Sequence, residues 1–142
     1  MTYHAMPSGV EIVLNGRTLR SITVNHVVPA VGYLARGAKG SLAFSGDTTI
    51  TDEFWKVLNA TEDLRHVIIE TSFMDKDEEL SRISKHLCPS MLAGELKKLK
   101  STAKVHITHL MPEHEDEIMQ EISHHIPRNA PQRLMRGEVF EV

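Results

Sequence analysis

The segment Leu42-Ala-Phe-Ser-Gly-Asp-Thr-Thr49 decides the predicted fold, because it joins a short buried strand to a turn that presents one carboxylate. Its apolar start predicts the strand, and Gly46 lets the backbone turn sharply where the strand ends. Asp47 then lies just outside the carboxyl end of the strand, at the edge where ligands bind in open α/β sheets. An Asp here could instead form an Asx-turn or cap a helix. Other residues at the same edge decide between these interpretations.

Strands and helices alternate on both sides of this segment. Residues 10–14 and 17–24 predict a hairpin, because Asn15-Gly16 suits a type I′ turn. Further strands are predicted at residues 31–35, 66–71, 104–108 and, after a turn, within 133–140. Helices are predicted at residues 52–59, capped by Thr51; at 75–85, with Leu80 and Ile83 inward; at 89 to about 100; and at 113 to about 125. We expect an α/β fold, with a mixed, mainly parallel sheet and flanking helices, in a single domain over residues 1–142.

The composition narrows the possible partners. The net charge is −3 with no stripe of basic residues, which argues against a nucleic-acid partner. The single cysteine, Cys88, excludes an internal disulfide framework and is typical of a reducing compartment. Because no apolar run approaches the length of a membrane span and no signal peptide is visible, we expect a cytoplasmic protein without a membrane partner.

Four polar residues follow predicted strands and can ligate a metal ion: His26, Asp47, Glu70 and His109. Parallel strands joined by right-handed crossovers place their carboxyl ends at one edge of the sheet. Two imidazoles and a carboxylate at that edge suit zinc or a mixed transition-metal site, with ligand distances of about 2.0–2.2 Å. The sequence therefore predicts a metal site at this edge.

Each of these residues also has a structural interpretation. His26 could simply end the hairpin, His109 could pack under a loop, and Glu70 could support the Ser-Gly-Asp turn. His86, between two helices, could interact with a helix C-terminus. The other histidines are interpreted as solvent-facing or core (His106) or as surface residues (His114, His124, His125). Residues 114–118 are not a zincin motif, because the second His is missing.

Four motifs in order resemble the metallo-β-lactamase superfamily: residues 25–33 (Asn-His-Val-Val-Pro-Ala-Val-Gly-Tyr), 44–48 (Phe-Ser-Gly-Asp-Thr), 85–93 (Lys-His-Leu-Cys-Pro-Ser-Met-Leu-Ala) and 107–112 (Ile-Thr-His-Leu-Met-Pro). The resemblance is greatest to the class II cyclic-nucleotide phosphodiesterase branch, whose pattern residues 67–73 also resemble. The transfer-RNA 3′-processing endonucleases are near relatives of that branch. The resemblance spans about residues 20–122.

The resemblance implies a role for each matching residue. His26 is similar to a ligand of the first metal, Asp47 to the carboxylate that bridges two zinc ions, and His109 to the last ligand of the second metal. His86 is similar to the histidine that steadies the phosphoryl oxygens or protonates the leaving oxygen. Ser45, Gly46, Thr48 and Glu70 would support the ligand loop. The implied activity is two-metal hydrolysis, with zinc, manganese or iron, of a phosphodiester such as a 3′,5′-cyclic nucleotide, for example cAMP.

One departure from the family pattern weakens this expectation. The His-x-His-x-Asp-His motif is absent, and Tyr3-His4-Ala5 does not replace it. The chain therefore resembles the C-terminal half of an αββα sandwich, left by truncation or by cleavage. Three ligands shared by two ions leave each ion with two at most, so we expect weak metal binding and little hydrolysis; two tightly held zinc ions after dialysis would contradict this. An uncovered apolar sheet face would also favour a homodimer.

Two other functions remain open. An RNA 3′-processing nuclease of the same superfamily is disfavoured by the acidic balance of charges, and a salt-dependent RNA shift assay would detect it. A non-catalytic α/β binding or scaffold module would need no metal. Upstream coding sequence for the missing motif would distinguish this module from a hydrolase.

Overall fold

The computed structural model describes residues 5–142. Tyr3 and His4, at the start of the chain, lie outside the described residues. The strands are β1 (Glu11–Leu14), β2 (Arg17–Thr23), β3 (Val31–Arg36), β4 (Ser41–Phe44), β5 (Leu64–Glu70), β6 (Lys104–Thr108) and β7 (Gln132–Arg133). The helices are α1 (Asp52–Asn59), α2 (Glu78–Ser84), α3 (Pro89–Leu96) and α4 (Glu115–His125), and a 3₁₀ turn at Asp75–Asp77 precedes α2. Among the described residues, none of the helices is long and apolar enough to span a membrane.

The strands form one mixed sheet in which the spatial order follows the chain, β1 to β7. The β1–β2, β2–β3 and β3–β4 pairs are antiparallel, whereas β4–β5, β5–β6 and β6–β7 are parallel. It follows that β2 and β4–β7 run in the same direction. The α/β fold with a mixed sheet and flanking helices is confirmed, and the Asn15-Gly16 hairpin lies where the sequence predicted it.

One face of the sheet carries the hydrophobic core. Alternation along β5 and β6 directs Val67, Ile69 and Ile107 into a cluster with apolar residues of α1, α3 and α4. The largest buried helical residues in this cluster are Phe54, Trp55, Leu58, Leu92, Ile118 and Ile122. Helices therefore cover this face along most of the sheet.

The opposite face is covered in part by the C-terminal segment. The Phe140 ring packs 4.8 Å from the rings of both His66 and His106, measured between centroids. His66 Nδ1 lies 3.1 Å from His106 Nε2, and Lys39 forms an ion pair with Glu141 at 2.7 Å. On the same face, Phe44 remains 38% exposed, and a homodimer through this face stays a prediction.

The helix at residues 75–85 was predicted with the wrong inward face. Leu80 is 47% exposed and Ile83 is 69% exposed, whereas the small Ser81 is fully buried. The chain first makes a 3₁₀ turn and begins the α-helix only at Glu78, three residues later than predicted. The apolar spacing indicated a helix correctly but not the direction in which it packs.

Several predicted boundaries also differ. Helix α3 ends at Leu96 rather than near residue 100, and α4 begins at Glu115, because Glu113 has a φ of 72° that is incompatible with a helix. The strand predicted after a turn within residues 133–140 does not form, and the last strand is Gln132–Arg133, which precedes the turn. Thr51 precedes α1 without a side-chain capping bond; instead its backbone N–H donates to Glu95.

Glu95 joins α1 to α3 through a buried carboxylate that is 3% exposed. Its Oε2 accepts hydrogen bonds from Thr51 N at 3.1 Å and Trp55 Nε1 at 2.7 Å, and its Oε1 lies 2.7 Å from Lys98 Nζ. Glu95→Ala would leave two buried N–H donors without an acceptor. We expect a loss of about 2–4 kcal/mol in the free energy of unfolding, measured by urea denaturation.

Glu79→Ala is the matched control, because Glu79 is an exposed glutamate on α2. Its effect should stay within about 0.5 kcal/mol. A Glu95→Ala loss as small as that of the control would show that the network does not stabilise the fold.

The pair formed by the half-buried His66 and the buried His106 predicts a loss of stability in acid. Burial lowers the pKa of both His66 and His106, so the folded state favours neutral rings. His106 is 2% exposed, and among the described residues its Nδ1 has no hydrogen-bond partner; the nearest carboxylate, Glu138, is 3.6 Å away. The unfolded chain therefore binds more protons, and this contribution is present above a pH of about 6.5 and is lost as the pH falls.

Replacing His106 with Leu should reduce the difference in unfolding free energy between pH 7 and pH 5. His124→Leu, at an exposed position, should leave the wild-type difference in place. Denaturant titrations at both pH values measure the effect. Equal differences for His106→Leu and the wild type would exclude the His66–His106 pair as the source of the acid sensitivity.

Candidate metal centre

The carboxyl ends of β2, β4, β5 and β6 meet at one edge of the sheet, which we call the site edge. His26 follows β2, Asp47 follows β4, and His109 follows β6. From the sequence, we predicted that parallel crossovers alone would bring these three residues to one edge. In the structure, β2 reaches the same edge as β4 through two antiparallel steps, because β3 returns the chain between them. Either topology brings these residues together.

Among residues 5–142, one group of side chains is arranged so that it could hold a metal ion: His26, Asp47 and His86. One ligand atom from each lies within 4.8 Å of the others. Two ligands of one tetrahedral zinc ion lie about 3.4 Å apart, so the group needs only small side-chain movements to close on an ion. The donor set of two imidazoles and a carboxylate fits a first-row transition metal.

His109 borders this group. Its Nε2 lies 3.8 Å from Asp47 Oδ1, and its ring stacks on that of His86 with centroids 5.3 Å apart. Its φ of 61° is uncommon for a residue with a side chain. Such backbone strain is often found at functional sites, and here it accompanies a half-exposed imidazole directed at the carboxylate.

The backbone of Lys85 orients His26. His26 Nδ1–H donates to the Lys85 carbonyl oxygen at 3.2 Å, and Lys85 Nζ donates to the His26 carbonyl oxygen at 3.2 Å. The first bond leaves Nε2 of His26 as the ring atom with a free lone pair. Lys85 has a left-handed conformation, with φ of 56° and ψ of 48°, which ends α2 immediately before His86.

The turn that carries Asp47 is fixed by close backbone contacts. Gly46 has a φ of +61°, and a Cβ atom there would lie 3.0 Å from the Val31 carbonyl oxygen. Ser45 Oγ donates to the Gly46 carbonyl at 2.7 Å and accepts from Glu70 N at 3.1 Å. A side chain at Gly46 would therefore move the carboxylate away from the histidines.

Glu70 connects the Asp47 turn to His86 and is only 1% exposed. Its Oε1 accepts from Thr48 N at 3.0 Å and lies 2.7 Å from His86 Nδ1. Its Oε2 accepts from Ser72 Oγ at 3.0 Å and from Leu87 N at 3.3 Å. The buried carboxylate is thus fully satisfied, as a buried charge requires.

Glu70 also sets the protonation of His86. The hydrogen bond from His86 to the Glu70 carboxylate raises the pKa of the imidazole, against the opposing effect of burial. With Nδ1 engaged, Nε2 is the nitrogen that can face the other site residues. This geometry replaces the alternative interpretation of His86 as a partner of a helix C-terminus.

The structure therefore places the four predicted residues His26, Asp47, His86 and His109 together, with Ser45, Gly46, Thr48 and Glu70 behind them. Which of them bind metal stays a prediction. Sequence reasoning missed Ser72 and the orienting carbonyl of Lys85. Neither role gives a signal in the sequence, because a backbone acceptor can belong to any residue and a serine hydroxyl can bond many kinds of partner. His106, in contrast, lies on the face of the sheet opposite the helices and takes no part in this group.

No protein-family model matches the sequence. No curated protein matches it either.

Solved structures do match. The metallo-β-lactamase fold protein YhfI from Bacillus subtilis has a TM-score of 0.72 at 13% identity, over 92% of this chain and 51% of that one. A diphosphatase from the PhnP family has a TM-score of 0.64 at 18% identity, over 89% of this chain and 44% of that one. Human tRNase Z, short form, has a TM-score of 0.59 at 19% identity, over 73% of this chain and 39% of that one.

These similarities show that the chain has the metallo-β-lactamase fold, as the sequence motifs implied. The chain spans about half the length of these proteins or less. At such low identities the likeness concerns the fold, and the fold alone does not assign an activity.

Proposed function

We propose that this chain contributes the metal-binding edge of a metal-dependent phosphodiester hydrolase acting on a small substrate, such as a 3′,5′-cyclic nucleotide. The observation that carries the proposal is the convergence of His26, Asp47, His86 and His109, with Glu70 buried behind His86. A structural ion pair needs only one basic partner for a carboxylate. Three imidazoles around the exposed carboxylate of Asp47 are more than such a pair requires. Two of the similar structures are named as a diphosphatase and a tRNase, and both names denote cleavage at phosphorus.

His26, Asp47 and His109 would hold the metal, which we propose to be zinc. A bound divalent ion would polarise the phosphoryl group and lower the pKa of water, thereby supplying the nucleophile. His26 is held for this task by the Lys85 carbonyl, which leaves its Nε2 free. The Asp47 carboxylate would supply a negative charge that imidazole ligands lack.

His86 would act as the general acid. Its Nδ1 is bonded to Glu70 at 2.7 Å, which fixes the ring plane and stabilises the imidazolium. Its Nε2 can then donate a proton to the leaving oxygen of the phosphodiester. Because the Glu70–His86 pair is largely shielded from solvent, Glu70 has no competing water partner in that arrangement.

The test is hydrolysis of bis(p-nitrophenyl) phosphate and of cAMP with added Zn²⁺ or Mn²⁺, compared with EDTA-treated protein. We expect slow turnover that EDTA abolishes and that His26→Ala reduces, since few ligands are available to each ion. His114→Ala, at a histidine outside the group, should retain the activity. Turnover that EDTA leaves unchanged, or its absence at saturating metal, would contradict the proposal and favour a non-catalytic module.

An RNA 3′-processing nuclease is the second candidate, and the similarity to human tRNase Z favours it. The net charge of −3 opposes it, because binding of RNA depends on neutralising phosphates. A salt-dependent shift of transfer RNA by this protein, with no turnover of cAMP, would favour the nuclease.

A further inference from the structure

An uncharged groove lies beside His26 and is not used by the chemistry described above. It has a volume of about 560 Å³ and is bounded on one side by residues 6–8 and on the other by residues 23–31. Among the residues of 5–142 that line it there is no aspartate, glutamate, lysine or arginine. Val27 and Val28 are exposed to 57% and 59%, so two adjacent apolar side chains of this loop face the groove and solvent.

The walls of the groove are fixed to the sheet. Ser21 Oγ donates to the Pro7 carbonyl at 2.6 Å, and Gly9 N donates to the Ser21 carbonyl at 3.0 Å. The Ser8 and Thr23 hydroxyls are also hydrogen-bonded to each other. The groove is therefore formed before any ligand arrives, so binding there would require little ordering of the chain.

We propose that this groove binds an uncharged aromatic ring, such as a nucleobase or an aryl group, that is part of an ester substituent of the phosphoryl group at the candidate metal centre. The inference rests on the proposed function, because it places the phosphoryl group beside His26 and Asp47. A charged substituent would find no counter-ion in the lining, whereas a flat apolar ring would cover the two exposed valines. The substrate class is thus a phosphodiester with at least one aromatic substituent.

Continuity with the candidate metal centre supports this occupant. His26 lines the groove and also belongs to the group of three possible ligands, and its ring centroid lies 4.9 Å from that of His86. A phosphoryl group held at the metal centre would therefore direct one ester substituent along His26 toward Val27 and Val28.

The test compares phenylphosphonate with methylphosphonate, which share the phosphonate group but differ in the ring. Binding to the zinc-loaded protein is followed through the methyl signals of Val27 and Val28 by nuclear magnetic resonance. We expect phenylphosphonate to bind about tenfold more tightly, with the largest shifts at these two valines. Val28→Asp should abolish this preference, and Val27→Asp provides a second variant should the first fail to fold. Val139→Asp, at an 83% exposed position in the C-terminal segment, should retain it.

Equal affinities, binding of neither phosphonate, or shifts confined to other residues would each overturn the inference. The assay does not depend on turnover, so it separates the two claims. A preference for phenylphosphonate in a protein that hydrolyses no phosphodiester would support ring binding in the groove and would refute the proposed hydrolase function. Hydrolysis of a phosphodiester by a protein that does not prefer phenylphosphonate would refute only the proposal that the groove binds an aromatic ring.

Discussion

Replacing Asp47 with Asn is expected to weaken zinc binding at least about 100-fold, because loss of even an outer-shell partner of a metal ligand costs about 10–100-fold. Asp47 is the only carboxylate in the group of three possible ligands, and it also lies 3.8 Å from His109. Asn preserves the size of the side chain but removes its negative charge. Zinc affinity is measured by competition with a chromophoric chelator.

Asp63→Asn provides the matched control. Asp63 lies before β5, at the edge of the sheet opposite the site edge, where its carboxylate accepts from Ser41 Oγ at 2.8 Å. The same substitution there should leave zinc affinity within a factor of two or so, since exposed surface changes rarely affect a distant site. Equal losses for the two variants, or no loss for Asp47→Asn, would remove Asp47 from the metal centre.

Replacing His86 with Gln is expected to reduce kcat by about 10²–10⁴-fold while changing zinc affinity less than tenfold. The bond from Nδ1 to Glu70 orients the ring so that Nε2 can donate a proton, and the sequence motifs assign the ligand roles to His26, Asp47 and His109. Gln can still donate to the Glu70 carboxylate, so this buried charge keeps a partner. Steady-state kinetics and the same chelator competition measure the two quantities.

This prediction distinguishes two assignments of the third metal ligand, His86 or His109. By distance alone, His86 groups with His26 and Asp47, whereas the sequence motifs assign the third ligand position to His109. We therefore expect His109→Gln, but not His86→Gln, to lose zinc affinity to the same extent as Asp47→Asn. A loss of affinity for His86→Gln with retention for His109→Gln would reverse the two roles.

Local sequence signals account for much of the fold. The Asn15-Gly16 turn and the apolar runs before Gly46 and Glu70 predicted strands close to where they occur. Packing direction was less predictable, since Leu80 and Ile83 have helical spacing but lie in solvent. The turn before this helix is held by tertiary contacts of Asp75 with Glu121 and Ser90, and such contacts are not encoded in the periodicity.

The location of the site could be predicted, because the direction of each strand determines which strand ends meet. His26, Asp47 and His109 each follow a strand, so their proximity followed from topology. The contacts that orient these residues could not be predicted from topology. The bond to the Lys85 carbonyl and the left-handed backbone of His109 are properties of the folded chain. His86 is separated from Glu70 by 16 residues and a helix, and only a sequence motif had connected it with the site.

The central claim is that His26, Asp47 and His109 bind a divalent metal at the site edge. Anomalous X-ray diffraction at the zinc absorption edge, on crystals of the protein equilibrated with zinc, tests it most directly. We predict the strongest anomalous peak at about 2.0–2.2 Å from a nitrogen of His26 and an oxygen of Asp47. A strongest peak elsewhere, for example at the Asp75–His125 pair, or no peak at the site edge at saturating zinc, would contradict the account.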